Sequence, residues 1–293
     1  MLLAYFNALL PVIFCAGLGL ALARNSTLLD SPSLSRLVTT IGLPALILSA
    51  LLGMETPVWA VSETLMAILG VLAISAVVGA IGLKLAGLEV RGYLSMLVNP
   101  NTGNLGIPLV FSLLGEEALI HAVVISTTVQ ISHFTLGVWL LSGAFSLKTI
   151  LSNVSIVTLV IGLAWVATDL HTPAALVRTV DLLAGMTIPV MLLLLGRSLA
   201  TINLHELGRI RVIAGLSIGR VILGLGAALA VVMLLPLEPI VAKTLLIQAS
   251  MPVAVISYLL ASHYGGPKDD VAAVILLSMP VSLLAVFGIL QFF

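Results

Sequence analysis

Long apolar stretches, separated by short polar clusters, run from one end of the chain to the other. A helix crossing the bilayer core needs roughly 20 mostly apolar residues. Read at that length, the pattern predicts ten segments: 3–23, 34–52, 62–83, 92–114, 117–143, 149–167, 173–196, 209–235, 239–262 and 270–292. Only helices and closed barrels satisfy their own backbone hydrogen bonds in lipid. The apolar runs here are continuous and do not alternate at period two, which selects helices. The links between them are short and leave no room for a soluble domain.

Composition strengthens this picture. Of the 293 residues 60% are apolar and 8% charged, with a mean hydropathy of +1.26. Soluble domains carry about 25% charged residues, so neither a soluble enzyme nor a disordered chain fits. The 12 Lys+Arg balance the 12 Asp+Glu, which gives no field suited to nucleic acid. Cys15 is the one cysteine, so no internal disulfide or thiolate cluster can form.

Charge placement orients the segments. With the N-terminus outside, nine basic residues fall on the inner links: Arg24, Arg36, Lys84, Arg91, Lys148, Arg197, Arg209, Arg211 and Lys268. Only Arg178 and Lys243 fall on the outer side, with Glu55, Glu63, Glu116 and Glu117, and Arg220 lies within a segment. The excess of inner cations predicts both termini outside a multi-pass cell (inner) membrane protein. No basic stretch precedes the first apolar run, which therefore reads as a span and not as a signal peptide. The Asn25-Ser26-Thr27 sequon would lie on the inner side and carries no weight.

The ten segments divide into five plus five. A shift of about 145 residues carries Gly17 onto Gly162 and Pro44 onto Pro189. Span four is interrupted by Pro100 and Pro108, and span nine by Pro252. Because five is odd, the second half starts from the opposite face, and the repeat over 1–145 and 146–293 is expected to be inverted. Secondary transporters are built this way, with their site near the midplane between broken helices.

The stretch from Asn99 to Pro108 places three Asn, one Thr, two Pro and two Gly in mid-span. Proline removes an amide donor and clashes with the preceding turn, so a continuous helix is not expected. One reading is a kinked helix whose Asn side chains bond its neighbours; the other is a substrate site at a helix break. Its counterpart, Gln248 to Tyr258, contains Ser250 and Pro252 and is less polar. Two half-helices meeting there would aim backbone amides at one point, which suits a carboxylate. Asn side chains add donors without the desolvation cost of a charge.

Pro100-Asn101-Thr102 followed by Gly106-Ile107-Pro108-Leu109 resembles the fourth-span signature of the auxin efflux carrier family, which includes the plant PIN proteins. Ala249-Ser250-Met251-Pro252 running to Leu260-Ala261-Ser262-His263-Tyr264-Gly265 resembles that family's ninth span. Leu277-Ser278-Met279-Pro280-Val281 resembles a tenth-span motif, and Pro189 to Leu199 the seventh span. The resemblance covers nearly the whole chain. It implies an all-α membrane protein of ten transmembrane helices, with an inverted repeat and broken helices four and nine crossing at the midplane, as in bile-acid symporters. It also implies a dimerising scaffold of helices 1, 2, 6 and 7, and a transport domain of helices 3–5 and 8–10 moving as an elevator. Family substrates are small organic anions, namely auxin in plants and malonate- or malate-like carboxylates in bacteria. The crossover asparagine falls on Asn101, the crossover prolines on Pro100 and Pro252, a pocket glutamine on Gln130 and the acid opening span three on Glu63. Ala67 replaces a lysine of the plant proteins, Val253 replaces a polar residue, and their long central loop is absent.

Other polar residues keep two readings each. Arg220 lies roughly 16 Å inside Arg209 at 1.5 Å per residue. There it either grips a substrate carboxylate or pairs with backbone carbonyls. Gln130 and His133 share a helix face with Ser126, as cavity lining or as helix–helix glue. His133 either couples protons or stays neutral and buried. His121 and His263 are expected near the interfaces. Glu63 reads as a cap more than as a proton carrier. Gly215-x-Ser217-x-Gly219 matches a hydrolase elbow only if it lies on a strand–turn–helix, and otherwise allows close helix packing. No nucleotide or zinc motif is present, and no cofactor is expected.

The expected function is secondary transport of a small organic anion, with Asn101, Asn104, Gln130, Pro100, Pro252 and Ser250 at the site. Arg220, His133 and Glu63 are candidates for charge or coupling roles, and the alternative is a sodium-coupled carrier of bile-acid-symporter type. An intramembrane hydrolase using Ser217 and a sensor that binds without transport are the remaining rivals.

Overall fold

An apolar chain without water must pair each amide with a carbonyl of its own, and the helix does so locally. The computed structural model describes residues 2–29, 31–53, 59–143, 154–168, 170, 172–200 and 209–292. Glu55, Lys148 and the start of the sixth segment lie outside the described residues. Helix dominates, and among the described residues the only extended pairing is an isolated bridge between Pro100 and Val253.

The first half comprises α1 (Leu2–Asn25), α2 (Pro32–Leu37), α3 (Leu43–Leu52), α4 (Trp59–Leu85), α5 (Val90–Val98), α6 (Ile107–Leu114), α7 (Leu119–Ser132) and α8 (Val138–Ser142). The second comprises α9 (Val154–Val166), α10 (Ala174–Gly185), α11 (Thr187–Ala200), α12 (Ile210–Leu234), α13 (Pro239–Ala249), α14 (Val255–Tyr264) and α15 (Lys268–Phe292). Wider π turns over Val38–Gly42 and His133–Gly137 join α2 to α3 and α7 to α8 without breaking the rod. Among the described residues six helical runs are long and apolar enough to cross a membrane: Ser33–Leu52, Val61–Leu85, Glu116–Ser142, Ala174–Ala200, Ile210–Leu234 and Lys268–Phe292. Leu10–Asn25, Thr102–Leu114, Val154–Val166 and Pro239–Ala249 are apolar but shorter. The protein is an all-α membrane protein.

Packing sorts the helices into two groups. In one, α1 lies along α11, and α3 packs between α9 and α10. The α1–α11 contact is backbone to backbone: a Cβ on Gly19 would strike the Leu193 carbonyl, and one on Gly196 the Ala16 carbonyl. In the other group α12 is the hub, touching α4, α5, α13 and α15. Gly224 lets it approach the Ala249 carbonyl at the end of α13. By contrast, Cβ atoms on Gly215 and Gly219 would meet nothing, so this G-x-x-x-G does not make the close helix contact expected of it. The two glycines border an apolar groove beside Gly79 and Gly82 of α4. Ser217 lies inside the continuous α12 and donates to the Ile213 carbonyl, so it forms no nucleophile elbow.

Candidate functional site

Both interrupted helices break where proline and small or polar residues remove the i→i−4 ladder. α5 ends at Val98, and Asn99 is extended (φ −103°, ψ 101°). A π turn, Thr102–Gly106, then leads directly into α6, with Pro108 more than one turn inside the restarted helix, where its missing amide hydrogen leaves a carbonyl of the π turn without its helical donor. The break is therefore confined to Asn99–Asn101, and Pro108 belongs to the restart. In the second half α13 ends at Ala249, and α14 starts at Val255 after an extended Ala254 (φ −73°, ψ 140°).

The two breaks touch. The Asn101 amide donates to the Pro252 carbonyl at 2.8 Å, beside the Pro100–Val253 bridge. The Val253 amide donates to Ser278 Oγ at 3.2 Å, and the Gly106 amide to the Asn101 carbonyl at 3.0 Å. A Cβ on Gly106 would collide with Gln248 Oε1, so this glycine lets the two interrupted helices close together. Gln248 is fully buried and donates through Nε2 to the Ala122 carbonyl at 3.3 Å.

A cavity of about 300 Å³ opens against this crossing. Pro100, Asn101, Thr102, Gly103 and Asn104 line it from the first break, and Ala254, Val255, Ile256 and Leu259 from the second. The first turns of both restarting helices therefore face it, and first-turn amides have no partner within their own helix. α7 contributes Ser126, Thr127 and Gln130, followed by His133. The opposite wall comes from the other helix group: Ser35 and Thr39, Ser155 at the start of α9, and Arg197 and Ser198 in α11. Among the described lining residues Arg197 is the only one with a permanent charge, and none is acidic.

Of the residues predicted from sequence, Asn101, Asn104, Gln130, Pro100 and His133 border this cavity. His133 is buried, with Nδ1 3.3 Å from the Val129 carbonyl and Nε2 3.4 Å from Ser257 Oγ. Pro252 and Ser250 do not line the cavity: Pro252 supplies its carbonyl to Asn101, and Ser250 Oγ donates to the Ile247 carbonyl of its own helix at 2.8 Å. Arg220 is also absent from the walls; it is buried and donates through Nη2 to the Ala249 carbonyl at 3.1 Å. It thereby sets a cation at the C-terminal end of α13, where the helix dipole is negative, the backbone-pairing alternative for this residue. Glu63 lies away from the cavity, its Oε1 accepting the Glu238 amide at 2.8 Å at the start of α13. Next to it, Thr64 Oγ1 and His121 Nδ1 lie 2.7 Å apart, and both side chains are buried within the protein.

Sequence reasoning missed the opposite wall. The sequence pattern places Arg197 on an inner link just beyond 173–196, whereas it sits in the last turn of α11 and lines the cavity. Ser35 and Thr39, four apart on one helix face, were the available signal for that wall.

A family model described as membrane transport protein fits two stretches of the chain, residues 4–148 and 138–290. No curated protein sequence matches it.

Proposed function

As the chain belongs to the membrane transport protein family, that of the auxin efflux carriers, we propose that it is a secondary carrier of a small organic anion, a carboxylate of malonate, malate or auxin-like type. The observation that carries this reading is the cavity at the touching breaks, with two asparagines, two helix starts and one arginine around it and no acid among its described lining residues. A volume of about 300 Å³ suits a metabolite-sized ligand, at the small end of the roughly 300–1,000 Å³ of ligand pockets. Asn101 and Asn104 donate to the carboxylate together with the first-turn amides, and Gln130 holds the rest of the molecule.

The carrier works by alternating access. In this reading ten helices cross the membrane as an inverted five-plus-five repeat, with both termini outside. Gly42 packs against Thr187, with Thr187 Oγ1 only 2.8 Å from where a Cβ would stand; these positions are related by the 145-residue shift, as expected for a contact near a twofold axis. The α1, α3, α9, α10 and α11 group is the scaffold and the dimer-forming part, and the group around α12 carries the crossing through the bilayer.

Flux in proteoliposomes tests the proposal, with malonate, malate and indole-3-acetate as probes. Asn101→Ala is expected to lower flux about 10- to 100-fold, the loss of one hydrogen bond to a charged group. Unchanged flux of every carboxylate that the unsubstituted protein carries would refute the site. Repeating the assay with choline in place of sodium separates this carrier from a sodium-coupled one.

A further inference from the structure

The cavity draws its walls from two helix groups, and among its described lining residues the fixed charge sits on one of them. Asn101, Asn104 and the starts of both second half-helices belong with α12, whereas Arg197 belongs to α11, packed along α1. Arg197 lies in the last turn of α11, which the positive-inside reading puts on the same side as Arg24, Arg36 and Arg209. Ser198, Ser35 and Thr39 accompany it on that wall. A guanidinium keeps its charge at any physiological pH and can hold a carboxylate with two parallel N–H bonds.

From this division we infer that Arg197 is a side-specific anchor for the anion: it strengthens binding when the cavity faces the basic end and stays behind when the crossing moves to the other face. The inference rests on the carrier reading above. A positive group on the moving wall would aid binding equally from both faces. On the stationary wall it aids binding from one face only, so the half-saturating concentration is lower there.

Flux measured separately from each face of vesicles holding the protein in one orientation decides this, with malonate, malate and indole-3-acetate as probes. Arg197→Gln is expected to raise the half-saturating concentration at the basic-end face about 10- to 100-fold, with a change of less than about twofold at the other face. Arg197→Lys keeps a point charge without the fork and should give a smaller rise at that same face. Asn101→Ala serves as the control and should weaken both faces. An equal rise at both faces for Arg197→Gln, or none, overturns the inference while leaving the carrier reading intact. If the Gln variant does not insert, the Lys variant alone must show the one-faced effect, and its absence is equally fatal. No flux of any probe by the unsubstituted protein would remove the carrier reading and this inference together.

Discussion

The two helix breaks adopt matching roles with unlike chemistry. The first, Asn99–Asn101, continues into a π turn and lines the cavity with asparagine and threonine side chains. The second, Ser250–Ala254, is apolar at its centre and turns its polar side chains away: Ser250 bonds its own helix, and Gln248 bonds Ala122 across the packing interface. What it gives the cavity is a helix start lined with Ala254, Val255 and Ile256. Both halves therefore interrupt and restart a helix at the crossing, while the polar side chains that face the cavity come from the first.

The largest contrast comes from truncating each break in turn. Asn101→Ala should cost the 10- to 100-fold already described, whereas Ser250→Ala should leave flux within about twofold, because the lost bond is internal to α13. A large loss in Ser250→Ala would mean that the second break also reads the ligand with side chains. Gly106→Ala ranks next. Alanine is the better helix former by about 1 kcal/mol, so a fall in thermal stability, of roughly 1–3 kcal/mol, would report the collision with Gln248 Oε1. Stability equal to that of the unsubstituted protein would mean that the two breaks have slack between them. Gln130→Ala is the mildest change on the cavity side: loss of one neutral hydrogen bond predicts about a 2- to 10-fold rise in half-saturating concentration. No change would move Gln130 from the ligand to helix packing.

How far these features were legible follows from what each depends on. The breaks were readable because proline, glycine and asparagine act on the local backbone, and Asn99 to Pro108 stands out in any apolar run. The helical segments were readable for the same reason, and their described ends lie within a few residues of the expected ones. The cavity wall was not, because which side chain faces which depends on packing between distant segments. Arg197 looks like any cation at a helix end until α11 is laid beside α2, α7 and α9. Arg220 showed the converse: its depth in the sequence was legible, but only the placement of the Ala249 carbonyl identifies its partner. Glu63 likewise takes a capping role, at α13 rather than at its own helix.

The bond from the Asn101 amide to the Pro252 carbonyl also bears on how the protein is made. The donor emerges from the ribosome long before its acceptor exists. Until the later half is threaded into the bilayer, the unwound stretch around Pro100 must be sheltered by the insertion machinery or by water, since lipid offers an unpaired amide nothing. Synthesis of the second break thus supplies the acceptor for an amide of the first, and the first break reaches its final hydrogen bonding only when the second is in place.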